Sequence, residues 1–204
     1  PTDTTTTSGF GELFAEGVTL VAEGRLHTNF LQKSGHQLIG GVWTNRFFNA
    51  LGQDPRVLFP PLGVPVERKQ GSWTMYYNFD QYLVVDPCDP SRGWGLFGRA
   101  AVSDGNPNVL HWFGSLGVGG TSPICGREQD SFGIGWYYVG LSDELGDIAN
   151  VLLQPRDETG VEIYYKATLT DRFEMTADLQ VVEPAIQRGT NTAVVAGLRA
   201  NIEF

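Results

Sequence analysis

The sequence predicts an all-β fold, an antiparallel transmembrane β-barrel with about nine strands of roughly nine to eleven residues each. Three observations carry that prediction. Apolar and polar residues alternate with period two along successive segments. Charged residues make up only 18% of the chain, below the ~25% of an ordinary soluble domain. Aromatic residues reach 12%, and they gather near the ends of the alternating segments.

The alternation is cleanest towards the C-terminus. Phe173, Met175, Ala177, Leu179 and Val181 fall on one face, with Glu174, Thr176, Asp178 and Gln180 on the other. Residues 161–169 set Val161, Ile163, Tyr165, Ala167 and Leu169 against Glu162, Tyr164, Lys166 and Thr168. In the last segment Val194, Ala196, Leu198, Ala200 and Ile202 oppose Gly197, Arg199, Asn201 and Glu203. Earlier segments repeat the pattern with more glycine, at 73–83, 94–102, 110–118 and 132–141. Segments 18–28 and 37–45 are weaker, although Glu23, Arg25 and His27 share one face.

Connections alternate in length. Residues 30–35, 86–91 and 170–172 form short turns, whereas 46–72 and 142–160 form long loops rich in Pro, Gly, Asp and Arg. Short turns at one rim and long loops at the other are the pattern of an outer-membrane barrel. Two connections depart from it: 104–109 is short and 121–130 is long. Trp94, Phe132, Phe173 and Phe204 then fall near the short-turn rim, with Trp43, Trp73 and Trp112 near the other. Two such aromatic belts are expected at membrane interfaces.

Several function classes drop out on composition. A net charge of −9 argues against a nucleic-acid partner, which needs a basic footprint. No apolar run approaches the ~18 residues of a membrane-spanning helix. His27, His36 and His111 lack ligand spacing and neither cysteine sits in a CxxC, so no metal or cofactor site is expected. The chain opens at Pro1 without a charged-then-apolar leader, so any signal peptide is expected to be already removed or outside this sequence. Catalysis finds no constellation. His111 and Ser115 share a strand face, but four residues along a strand span ~13 Å, too far for a nucleophile–base pair.

The stretches GWGLFGRAAVSDGNPN (93–108), REQDSFGIGWYY (127–138) and VEIYYKATLTDRFEMTADLQVVEP (161–184) resemble the carbohydrate-selective porins of Gram-negative outer membranes, the OprB type. The segment 17–46 is similar to the middle region of that family, and LRANIEF at 198–204 resembles an outer-membrane assembly signal. The resemblance implies an outer-membrane, water-filled channel for passive diffusion of sugars, with sugars as solute and membrane lipid around it. It also implies a barrel of about sixteen strands, of which this chain matches the C-terminal half. A single β-barrel domain or half of one is therefore expected over 1–204, completed by an N-terminal half or a partner chain. A homo-oligomer and a small closed barrel of eight or ten strands stay open as alternatives. Strand parity agrees with a half barrel, since nine strands leave Pro1 at the extracellular end if the last strand descends. Two other functions stay open: a general small-solute porin and a soluble sugar-binding β-sandwich.

With the polar face as the lumen, the candidate pore-lining and substrate-binding residues are Glu23, Arg25, Asp80, Arg99, Glu162, Lys166, Glu174, Asp178, Gln180 and Arg199. Tyr76, Asn78, Tyr164 and Asn201 join them on that face. Sugar hydroxyls suit such Arg and carboxylate groups, and sugar C–H faces pack on aromatic rings. Arg99 leads the set, because FGR lies in the most family-like stretch. Cys88 and Cys125 are expected to form a disulfide, since both fall in turns at the periplasmic rim and the periplasm is oxidising.

Overall fold

A computed structural model describes residues 17–58, 62–87, 89, 91–146, 153–186 and 191–203. Nine strands follow one another: β1 (Thr19–Phe30), β2 (Lys33–Asn49), β3 (Arg68–Val85), β4 (Gly93–Ser103) and β5 (Leu110–Thr121), then β6 (Ser131–Leu141), β7 (Glu158–Thr170), β8 (Phe173–Glu183) and β9 (Ala193–Ile202). They form one antiparallel sheet in the order β1 to β9, each strand bonded to its sequence neighbours. The nine segments read from the alternation are these nine strands.

A single meandering layer overturns the β-sandwich alternative, which needs two packed sheets. Among the described residues no pairing joins β1 to β9, so these nine strands form an open sheet.

The register decides the faces, because directly opposed residues point to the same side. Ile134 lies opposite Ile163, and Ile163 opposite Leu179. Leu96 pairs with Val118, and Trp43 with Trp73. This side is apolar from β1 to β9. It is also uncovered: among the described residues no hydrophobic side chain is fully buried, and Ile163 is 50% and Leu198 73% exposed. Water would penalise that surface at roughly 25 cal/mol per Å². A lipid bilayer removes the penalty, and supplies the outward apolar band of a transmembrane barrel.

β2 has 17 residues and β3 has 18, so both run well past the 37–45 and 73–83 segments. The reason is a bulge between Thr44 and Phe47 that breaks the period-two pattern while pairing continues from Phe47 with Gln70. The expected 46–72 loop shrinks accordingly to residues 50–67, and carries a short 3-10 turn at Pro55–Leu58. At the opposite rim β1 and β2 join through Leu31 and Gln32 alone. Their φ values of 54° and 59° give the left-handed pair of a two-residue hairpin turn.

The rim with long connections is laced together. Leu51 donates its N–H to Asn106 Oδ1 at 3.0 Å, and Asn106 Nδ2 donates to Glu144 Oε2 at 2.5 Å. Ser142 Oγ donates to the Gly105 carbonyl. Loop 50–67 is thereby tied across the β4–β5 turn to the β6–β7 loop. Further along, Arg156 donates to the carbonyls of Pro184 and Asn191.

At the short-turn rim Trp94 meets Phe132 edge-on at 6.5 Å. Phe204, expected in this belt, lies outside the described residues. The disulfide expectation finds no support: Cys88 lies outside the described residues, and Cys125 is exposed and free. The length of the β5–β6 connection has another cause. It folds into two successive turns, with Arg127 N–H on the Ile124 carbonyl and Asp130 N–H on the Arg127 carbonyl. These deliver Asp130 into a buried site.

Candidate functional site

The polar face carries the candidate residues. Strand alternation puts Glu23 and Arg25 on it from β1, Asp80 from β3 and Arg99 from β4. Glu162 and Lys166 come from β7, Glu174, Asp178 and Gln180 from β8, and Arg199 from β9. All ten share this one side. They do not converge on one point, because they are spread over the full width of the sheet.

Local pairs hold several of them. Tyr76 donates its hydroxyl to Glu23 Oε2 at 2.8 Å across β2. The Lys166 ammonium sits 2.9 Å from Glu174 Oε1. Gln180 donates to Glu162 Oε1 at 3.3 Å. His36 Nδ1 approaches Asp80 Oδ2 at 2.8 Å, with the His27 ring 4.3 Å from the His36 ring. Asp178 lies opposite Tyr164 and Gly197, Arg199 opposite Thr176, and Arg25 opposite Leu38. Arg99 lies opposite Asn78 on one side and Ser115 on the other. Both signs of charge alternate with amides, hydroxyls and phenols along the whole wall.

Sequence reasoning missed His36, Phe97 and Tyr137 as members of this wall's set of interacting side chains. His36 becomes a neighbour of Asp80 only through the β2–β3 register. Tyr137 reaches the Glu158 carboxylate at 2.9 Å, and its ring covers Gly160 on the adjacent strand. Phe97 is an apolar side chain on a polar face and is 44% exposed, with its ring above Gly117. Glycines at alternate positions of β5 and β6 were the available signal, since a bare strand leaves room for a ring to lie flat.

Just past this wall, at the short-turn rim, Asp130 is the one fully buried ionisable side chain among the described residues. Its carboxylate accepts from Tyr165 Oη at 2.6 Å, the Thr168 N–H at 2.9 Å and Arg127 Nε at 2.6 Å. Burial pushes its pKa up. The three hydrogen bonds and the Arg127 charge outweigh that and hold it below the usual 3.8. At the long-loop rim, hydrogen bonds from Arg56 hold the Asp54 carboxyl down at about 2.

Comparison with known proteins gives a consistent set of relatives. The chain is 28% identical over 152 residues to Porin B of Pseudomonas aeruginosa, covering 67% of this chain and 33% of that protein. A solved high-pH structure of Pseudomonas putida OprB superposes with a TM-score of 0.78 at 19% identity, covering 93% of this chain and 49% of that one. The chain therefore spans about a third of the length of the one relative and about half of the other. The family match runs from residue 1 to residue 204. A meander of membrane-length strands with an uncovered apolar side, matched along its whole length, belongs to the carbohydrate-selective porin family, OprB.

Proposed function

We propose that this chain forms part of the wall of a water-filled channel through which sugars diffuse passively across a Gram-negative outer membrane. The family is one of outer-membrane channels rather than enzymes. The observation that carries the reading for this chain is the two-sidedness of the sheet. One side is apolar and bare from β1 to β9, and the other mixes carboxylates, guanidinium groups, amides and phenols. In this reading the ten candidate residues line the pore, and further strands outside these nine close the barrel. An added set with an odd number of strands keeps both seams antiparallel, because β1 and β9 run in the same direction.

Mixed charge sets the expected selectivity. An anion- or phosphate-selective pore is lined by an excess of Arg or Lys. Here the acids Glu23, Asp80, Glu162, Glu174 and Asp178 outnumber the bases Arg25, Arg99, Lys166 and Arg199 by one, so neither sign dominates. Liposomes carrying the channel are therefore expected to swell in neutral sugars and to show weak ion selectivity. Swelling at equal rates in sugars and in uncharged non-sugar solutes of the same size would instead make this a general small-solute porin. Arg99→Ala is expected to weaken sugar block of ion current by about tenfold, the loss of one charged hydrogen-bond donor. An unchanged block removes Arg99 from the set.

Sidedness is tested separately. In a variant lacking Cys88 and Cys125, cysteines placed at Arg199 and Asn201 are expected to react with a water-soluble thiol reagent. Cysteines placed at Leu198 and Ile202 are expected to be protected by lipid. The opposite pattern would invert every face of the sheet.

A further inference from the structure

The polar face holds two adjoining hollows whose common wall is Phe97. The first has a volume of about 170 Å³, and Phe97, Ser115, Gly135, Tyr137, Glu162 and Tyr164 line it. The second, about 260 Å³, lies on the other side of the Phe97 ring and is lined by Asp80, Tyr82, Gly95 and Gly119. Both are smaller than the ~300–1,000 Å³ of a drug-sized ligand pocket.

The first hollow exists because of the way rings are laid across glycines. A Cβ on Gly117 would meet the Phe97 ring at 2.4 Å, one on Gly133 the Tyr164 ring at 2.4 Å, and one on Gly160 the Tyr137 ring at 2.5 Å. Each ring therefore occupies the space over a glycine of a neighbouring strand. Gly135 stands between them and is left bare: its nearest would-be contacts are backbone atoms at 3.8 and 3.9 Å. It forms the floor. Directly opposite Gly135, on β7, stands the Glu162 carboxylate, steadied by Gln180.

Aromatic rings around a bare floor with one carboxylate at the edge are unusual on a wetted wall. An exposed phenylalanine there contributes nothing to solvation of the lumen. The same combination matches the two surfaces of a pyranose, which has an apolar C–H face and a rim of hydroxyl donors. Each hollow supplies an aromatic wall, tyrosine (Tyr137 and Tyr164 in the first, Tyr82 in the second) and one carboxylate, Glu162 in the first and Asp80 in the second.

We infer that these hollows are two neighbouring subsites for neutral pyranose rings, with Phe97 as the shared stacking residue. The inference rests on the sugar-channel reading and adds to it where on the wall the sugar is held. Phe97 offers its ring to the C–H face. Glu162 and Asp80 accept hydroxyl hydrogen bonds, and the bare glycine lets the sugar approach the backbone.

The test is glucose block of ion current through the channel in planar bilayers. Gly135→Leu fills the floor of the first hollow, and Phe97→Ala removes the shared wall. Each is expected to raise the half-blocking glucose concentration by about tenfold or more, the scale of one lost specific contact. Gly114→Leu adds the same side chain on the apolar face, where a Cβ meets nothing within 4 Å, and is expected to leave the block as in the parent protein. Two results overturn the subsites alone: normal block in both Gly135→Leu and Phe97→Ala, or an equal shift in Gly114→Leu. A parent channel that conducts ions and is never blocked by glucose overturns the sugar reading and the subsites together.

Discussion

Replacing Ile163 by Arg is expected to destabilise the folded protein by ~2–4 kcal/mol, the cost of a cation near the bilayer midplane on a barrel's lipid face. Ile163 lies centrally in β7, 50% exposed, between Ile134 on β6 and Leu179 on β8. The same Arg at Glu162, one residue earlier, points to the polar side and is expected to cost less than ~1 kcal/mol. Urea unfolding in detergent or lipid, followed by tryptophan fluorescence, measures both. Equal losses at 162 and 163 would mean that neither face meets lipid. A larger loss at 162 would mean that the faces have been assigned the wrong way round.

Removal of the Asp130 carboxylate is the second large effect. Asp130→Ala strands the Thr168 N–H and the Arg127 guanidinium, and leaves the Tyr165 hydroxyl only its longer 3.4 Å contact with Ser122 Oγ, at a site where the Asp130 side chain is 1% exposed. Unsatisfied buried donors cost ~1–3 kcal/mol each, and Arg127 is exposed enough to recover water, so a loss of about 3 kcal/mol is expected. The pH dependence has a definite sign. A carboxyl held below its ordinary value contributes stability fully above the unfolded value, and loses it as pH falls through the folded one. The Asp130 contribution is therefore constant above about pH 5 and fades below 3.8. Asp130→Asn removes that acid-side slope while retaining part of the network. Unfolding of the parent protein and both variants between about pH 3 and 7 decides it. An Asp130→Ala variant as stable as the parent would show that the β5–β6 turn is held by its backbone alone.

How much of this was legible in the chain differs from strand to strand. β7, β8 and β9 were readable residue by residue, because their alternation is unbroken and the two faces differ sharply in polarity. β2 and β3 were readable only in part. The bulge after Thr44 and the left-handed Gly71 shift the side-chain parity, so pairing continues where the pattern stops. The disulfide expectation found no support, for a related reason. It was argued from two turns at the same rim, whereas the long β5–β6 turn exists to bury Asp130 under Tyr165 and Thr168 of β7.

The candidate wall divides in the same way. Alternation alone was enough to put Glu162, Lys166, Gln180 and Arg199 on one side, since side-chain direction has period two and is set locally. What lies beside each of them is a matter of register, and register belongs to pairs of strands. Phe97 over Gly117, Tyr137 over Gly160 and His36 beside Asp80 join residues 20 or more positions apart in the chain. The sequence by itself determined the strand count, the two-faced character and the membrane as solvent, because all three follow from composition and short-range period. Only the tertiary structure decided which rings cover which glycines, where the wall is hollow, and where a buried carboxylate ties a turn to its neighbour. Those contacts depend on how nine strands slide against one another, and a one-dimensional pattern carries no record of that.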